Sequence, residues 1–369
     1  MHEYGYKYTA DQVNLQCAFL ANRLKKQETH LARWRRRNAI TCYRIYDKDI
    51  PEIPLAIDVY EDMLHIAEYR TFVPADEHMA AHTLRMRALM DTAARALGIA
   101  EDKVFYKIRQ KQKGNNQYSS YRQRDGELPD ASAPGRPRRL EHEESPDARV
   151  LVREGGLQFY VHMRGYIDTG LFLDHRETRS MIRDLAGGKR VLNLFAYTGA
   201  FSIYALDGGA AEVVSVDLSN TYLDWIDDNH RANFSDKTNH KLVRADVLEY
   251  IYTLAPESFD IIILDPPTYS ASKAMRGSFD IARDHAALLL DLFPVLAPGG
   301  ALYFSTNRAR FTLDPEVARA AEMEFAIRTD DIRAATIPKD FRNERAHFCW
   351  RFTRAHPLST HFARALRTS

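Results

Sequence analysis

Asp265-Pro266-Pro267-Thr268-Tyr269 is the stretch of this 369-residue chain whose residue types could do the most chemistry. It follows the apolar run Ile261-Ile262-Ile263-Leu264, which reads as a buried parallel strand. A carboxylate at the mouth of such a strand can sit where a donor cofactor meets an acceptor nitrogen. The two prolines fix φ and remove two backbone donors, so the turn is stiff and its carbonyls point in set directions. Tyr269 offers a face on which a base can stack. A plainer reading of the same residues is a strand stopped by a proline pair.

Two upstream runs fit the same kind of site. In Arg190-Val191-Leu192-Asn193-Leu194-Phe195-Ala196-Tyr197-Thr198-Gly199-Ala200-Phe201, a strand ends at Phe195 and a turn holds Gly199. A helix then follows over 201–206. Gly199 allows close backbone approach, and the helix start offers free N–H groups to a polar ligand. The spaced-glycine dinucleotide signature is missing, which disfavours a nicotinamide cofactor. Val213-Val214-Ser215-Val216-Asp217 is a strand ending in an acid about twenty residues beyond that turn, a spacing suited to ribose hydroxyls. Its plainer role is to precede a helix capped near Ser219 and running to Asn233. Lys241-Leu242-Val243-Arg244 is a third strand, ending in Ala245-Asp246. In an open α/β sheet, this carboxyl edge is where ligands bind.

The four strand ends together resemble class I S-adenosylmethionine-dependent methyltransferases. Further runs are similar to the RlmK-type 23S ribosomal RNA guanine-N7 methyltransferases, a module often found as the carboxyl-terminal half of a fused two-methyltransferase protein. They are Asp168-Thr169-Gly170-Leu171-Phe172-Leu173-Asp174-His175-Arg176, Asn193 to Gly199, Asp265 to Lys273, and Arg283-Asp284-His285. Near the N-terminus, Ala21-Asn22-Arg23-Leu24, Cys42 to Asp47, and Arg109 to Tyr118 match as well. The resemblance spans about residues 15–352. It implies S-adenosyl-L-methionine as cofactor and 23S ribosomal RNA or a pre-ribosomal particle as partner. Such a protein would work in the cytoplasm. The partner half is absent from these residues, so it is either encoded separately or not needed.

Roles follow from the resemblance. Asp217, with Leu218 beside it, would hold the ribose, and Asp246 with Val247 would flank the adenine. Asn193, Phe195, Tyr197 and Gly199 would border the methionine part, and Asp265 lies where cofactor and acceptor meet. Asp174 and Arg176 would close over the cofactor, Arg176 pairing with its carboxylate. The plainer reading of Asp174 is a helix cap with Glu177 in the capping-box position. Asp265, Pro266, Pro267 and Tyr269 would shape the acceptor site. Arg109, Lys111, Lys113, Asn116, Lys273, Asn307 and Arg308 would contact RNA, or else be ordinary polar surface.

The chemistry narrows the target. Methylation at cytosine C5 requires a cysteine nucleophile at the sheet's carboxyl edge. Neither Asp265-Pro266-Pro267 nor Phe304-Ser305-Thr306-Asn307-Arg308 carries one, and Cys349 reads as a packing residue in a terminal strand. Guanine N7 already presents a lone pair, so the enzyme must align it with the methyl group and exclude water. An exocyclic amine would need a proton sink, which Asp265 could supply. Two other readings are a methyltransferase of this fold acting on another RNA base or a protein side chain, and a non-catalytic RNA-binding module.

The elements that must position these residues suggest an α/β chain. A Rossmann-like class I sheet over 165–369 follows a smaller α+β RNA-binding domain over 51–164 and a helical segment over 1–50. Gln12 to Arg37 is amphipathic and reads as a helix, with Leu15, Phe19, Leu24, Leu31 and Trp34 on one side. Strands are expected at 55–58, 63–69 and 103–108, and a helix over 75–97 closed by Gly98. The region 121–147 is poor in apolar residues and reads as an exposed, partly mobile loop. Residues 158–163 alternate; 324–328 and 347–353 could form a terminal antiparallel pair.

Net charge is +1, yet residues 103–139 hold ten Lys or Arg against three acids, a pattern suited to phosphate contact. Arg33, Arg35, Arg36 and Arg37 surround Trp34 as a second basic group. No run approaches membrane-spanning length, and the three cysteines show no metal-ligand spacing.

Overall fold

The computed structural model describes residues 9–70, 76–110, 149–164, 166, 168–235, 239–271, 277–343 and 346–356. Lys111, Lys113, Asn116, Lys273 and the region 121–147 lie outside the described residues. The chain divides into two compact units: 1–173 with 339–342, and 174–338 with 343–369.

The first unit opens with α1 (Ala10–Arg37). Thr9 and Gln12 form a reciprocal capping box there, satisfying two amide donors at the helix start. Strands β1 (Cys42–Asp47), β2 (Leu55–Tyr60) and β3 (Met63–Arg70) follow as two antiparallel hairpins. Helix α2 (Asp76–Leu97) then crosses over to β4 (Val104–Gln110), which pairs parallel with β3. One sheet face is apolar. Tyr43, Ile45, Leu55, Ile57, Leu64 and Ile66 pack with Leu20, Leu24 and Leu31 of α1 and Met86 and Leu89 of α2. Burying each such aliphatic side chain is worth about 1.5–3 kcal/mol. Helix α1 and strand β1 therefore share one core with β2, β3 and α2.

The other face of the same strands carries paired polar groups. Arg44 makes a bidentate pair with Asp58 (2.7 and 2.9 Å), and Arg109 donates to Asp168 (2.6 Å). Sequence periodicity marked 158–163 as a strand. The structure has β5 (Val150–Glu154) and β6 (Leu157–Val161) as an antiparallel hairpin turning at Gly155-Gly156, both in the left-handed region.

The second unit is built from α3 (Arg176–Leu185), β7 (Arg190–Leu194), α4 (Ala200–Asp207), β8 (Glu212–Asp217), α5 (Asn220–Asn233), β9 (His240–Arg244), α6 (Val247–Tyr250) and β10 (Phe259–Leu264). It continues through the short pair β11 (Tyr269–Ser270) and β12 (Phe279–Asp280), then α7 (Ile281–Leu292), β13 (Leu296–Thr306), α8 (Pro315–Phe325), β14 (Ile327–Asp331), α9 (Arg333–Thr336) and β15 (Phe348–Arg354). The sheet order is β14-β15-β13-β10-β7-β8-β9. Pairing is parallel from β13 to β9, and β15 is antiparallel to both its neighbours. Strand order reverses between β7 and β10. This switch point opens a crevice at the carboxyl ends, where an open α/β sheet binds its ligand.

Boundaries differ from the sequence reading at several places. β7 ends at Leu194, because Phe195 already has φ +55°. Residues 324 and 325 finish α8, and Ala326 at φ +55° turns the chain into β14.

Gly199 sits at φ +74°, and a Cβ there would meet the Ile226 side chain of α5 at 2.8 Å. Its smallness serves helix packing and a left-handed turn, where the sequence suggested approach to a ligand. Gly199→Ala is expected to lower unfolding free energy by about 2–3 kcal/mol through strain and overpacking. Urea denaturation of both proteins checks this, and an unchanged midpoint would sink it.

Candidate active site

The β10–β7 register aligns Leu264 with Leu194, and the β10–β13 register aligns Leu264 with Phe304. Asp265 and Phe195 therefore leave adjacent strands at one level, with Ser305 beside Asp265. The Ser305 hydroxyl donates to Asp265 Oδ1 at 2.6 Å, fixing one side of that carboxylate. Pro266 behind it is buried. Tyr269 is half-buried in β11, opposite Asp280 of β12. The Thr268 hydroxyl donates to Asn307 Oδ1 (2.9 Å), and Arg308 donates to Asp280 Oδ1 (2.6 Å). Asn307 and Arg308 thus brace the loop that carries the Asp265 motif. In Arg283-Asp284-His285, the buried His285 ring accepts from Asp314 N (3.0 Å), tying α7 to the start of α8.

On the other side of β7, Asp217 ends β8. Its Oδ2 accepts from Tyr197 N and its Oδ1 from Ser219 N, both at 2.9 Å. A carboxylate has roughly four lone-pair sites, so these bonds do not exhaust it. Burial pushes the Asp217 carboxyl up to about 6, against the pull of the backbone N–H groups of Ser219, Tyr197 and Leu218. The Phe195–Gly199 turn has positive φ at Phe195, Tyr197 and Gly199. For bulky residues this conformation costs about 1–3 kcal/mol each and must be held by its surroundings. The holders are visible: Asp217 takes Tyr197 N, Ala196 N donates to Val216 O, and Asn229 of α5 donates to Thr198 O. The Tyr197 ring packs edge-on against Tyr222. Asp246 accepts from Leu248 N (3.0 Å), capping α6, and Val247 is buried beside it.

Asn193 does not line the crevice. It is buried and donates to Ser202 Oγ (2.8 Å), which bonds Ser215 Oγ (2.6 Å), which reaches His240 Nε2 (2.9 Å). This polar chain ties β7, α4, β8 and β9 together behind the edge. The cap position of α3 is His175, whose own side chain makes no cap bond. Asp174 Oδ2 pairs with His347 Nδ1 at 3.2 Å. The buried His175 ring points Nε2 at Asp265 Oδ2, 3.5 Å away. Burial holds its imidazole below the usual histidine range, opposed by the Asp265 and Asp174 carboxylates. Arg176 is buried at the start of α3, and in the first unit Arg109 is taken by Asp168.

Asp174, His175 and His347 bring donor atoms within 4.8 Å of one another. The two imidazoles are stacked, 4.4 Å apart and 14° from parallel, so their lone pairs run side by side and fit a common metal ion poorly. Cys349 is fully buried next to this region, opposite Ser305 in the β13–β15 register. Burial, then the Asp265 and Asp331 charges, push its thiol well up, which removes the thiolate a nucleophile needs.

Residues 141–332 match the family model described as S-adenosylmethionine-dependent methyltransferase. Ribosomal RNA large subunit methyltransferase K of Neisseria meningitidis serogroup B is 41% identical over 334 residues, 89% of this chain and 85% of that protein. The chain belongs to this methyltransferase K family. Ribosomal RNA large subunit methyltransferase K/L of Syntrophotalea carbinolica is 42% identical over 335 residues, 90% of this chain. The chain spans only 43% of that K/L protein's length. Among solved structures, a Streptococcus mutans protein matches with TM-score 0.65 at 24% identity, covering 91% of this chain and 81% of that one. A SAM-dependent methyltransferase from Agrobacterium tumefaciens matches with TM-score 0.53 at 17% identity, covering 81% and 87%. These two show the fold. Among the described residues, no helix is long and apolar enough to cross a membrane.

Ser305, Asn229 and His347 carry much of this geometry and were not singled out by sequence. Ser305 had a usable signal, a hydroxyl at the end of the strand neighbouring the Asp265 strand. His347 had none, since it lies 173 residues from Asp174.

Proposed function

We propose that this chain transfers a methyl group from S-adenosyl-L-methionine to N7 of a guanine in 23S ribosomal RNA. The observation that supports it most is the placement of Asp217 and Asp265 at the carboxyl ends of β8 and β10, flanking β7 at the switch point. When bound, the cofactor supplies an electrophilic methyl group on a sulfonium. Asp217 accepts the ribose hydroxyls, Asp246 and Val247 flank the adenine, and the Phe195–Gly199 turn borders the methionine end. Asp174 and Arg176 cover the cofactor from the start of α3. Asp265, held by Ser305, faces the acceptor with a fixed carboxylate, Pro266 and Pro267 shape the turn, and Tyr269 stacks on the target base.

N7 needs no deprotonation before attack, so alignment and water exclusion carry the rate. Positive charge develops on the guanine during transfer, and the oriented Asp265 carboxylate stabilises it. The raised, buried Cys349 thiol argues against covalent catalysis at carbon. Arg109, Lys111, Lys113, Asn116, Lys273, Asn307 and Arg308 are the proposed RNA contacts. Arg109 and Arg308 would exchange Asp168 and Asp280 for phosphates, which makes RNA binding steeply salt-dependent. The substrate would be 23S ribosomal RNA or a pre-ribosomal particle in the cytoplasm. Running the transfer with the purified chain alone also reads out any need for a separately encoded partner methyltransferase.

Cofactor affinity should depend on pH through Asp217. Burial pushes its carboxyl up to about 6, and the charged carboxylate is the stronger acceptor for a ribose diol. Affinity is then flat above pH 7 and falls below about 6, by up to about tenfold per unit. Calorimetric titration of S-adenosylhomocysteine at several pH values checks this; a flat profile down to pH 5 would rule it out. The same titration tests the cofactor assignment, which predicts saturable binding at one site per chain.

A further inference from the structure

We propose that His347 is a positioning residue of the transfer site: held between Asp174 and Thr336, it stacks on His175 and sets that ring against Asp265. The inference rests on the methyltransferase reading above.

His347 Nδ1 lies 3.2 Å from Asp174 Oδ2, and its Nε2 lies 3.0 Å from Thr336 Oγ, so both edges of the ring are held. Thr336 is itself tied to its own helix through Arg333 O. The His347 ring has no exposed surface, so these contacts fix its place.

The consequence reaches the chemistry through stacking. The His175 ring lies 4.4 Å from the His347 ring at 14°, with the edge of Phe201 against it at 5.7 Å. Two rings stacked at this separation make a favourable contact. His175 is thus clamped between two rings with Nε2 aimed at Asp265 Oδ2, while Ser305 fixes the other carboxylate oxygen. Asp265 has one orientation because its neighbours on both sides are held. His347 enters the site just before β15, so the end of the sheet fold completes a site whose other parts come from α3 and β10.

Two variants test this. His347→Ala should lower kcat for methyl transfer about tenfold to a hundredfold while changing S-adenosylhomocysteine affinity less than about threefold. His347→Asn, whose amide can still donate to Asp174, should recover part of that loss. Wild-type kcat in His347→Ala, or an equal loss in affinity and kcat, would overturn the positioning role. If wild type transfers to a different nucleoside, the guanine-N7 reading fails while the His347 comparison stands on that nucleoside. If wild type neither binds cofactor nor transfers, the methyltransferase reading fails and the positioning role with it.

Discussion

Asp217→Ala weakens S-adenosylmethionine binding about a hundredfold. Hydrogen bonds to a charged group contribute about 1.5–3 kcal/mol each, so losing the acceptor for a ribose diol removes roughly 3 kcal/mol. Part of the loss is indirect. Asp217 Oδ2 also holds Tyr197 N, and Tyr197 sits at φ +52°, a conformation a tyrosine keeps only under constraint. Without that acceptor the turn relaxes toward ordinary backbone angles. Asp217→Asn separates the two effects, because its amide oxygen can still take Tyr197 N while the charge is gone. Affinity should rank wild type, then Asn, then Ala, by calorimetry above pH 7. A Kd for Asp217→Ala within threefold of wild type would mean the β8 end does not hold the cofactor.

Asp265→Ala lowers the single-turnover rate of transfer about 10²–10³-fold, with cofactor affinity falling much less. Removing one preorganised group that faces developing charge costs about 3–4 kcal/mol in other active sites. The arrangement here is of that kind, since Ser305 and His175 fix the carboxylate before any substrate arrives. Asp265→Asn keeps the shape and can still accept from Ser305, so it isolates the charge. For transfer to N7, Asn should be nearly as slow as Ala, because no proton is removed and only the charge acts. Near-wild-type rates in Asp265→Asn would show that the carboxylate's charge does not contribute.

The sequence made some of this legible and hid the rest for identifiable reasons. Val213–Val216 and Ile261–Leu264 are short apolar runs bounded by acids, and their strands and the acids at their ends follow from local pattern alone. Asn193 sits in an equally clear strand, but which way its side chain faces depends on Ser202, Ser215 and His240 behind it. Asp174 reads locally as a helix cap because Glu177 follows at the right spacing; its bond to His347, far along the chain, leaves no local signal. The role of Gly199 depended on Ile226, a contact with no trace in the glycine's neighbours. Local signals gave elements and strand-end acids. Contacts between distant segments decided which groups face the crevice.

The most direct test is methyl transfer by the purified chain from labelled S-adenosylmethionine to ribosomal RNA lacking its modifications, followed by nucleoside analysis by mass spectrometry. The expected result is label in 7-methylguanosine from the large-subunit RNA, strongly reduced with Asp217→Ala at cofactor concentrations near the wild-type Kd. Label in any other nucleoside, or none from a chain that binds the cofactor and RNA, would contradict guanine N7 as the target.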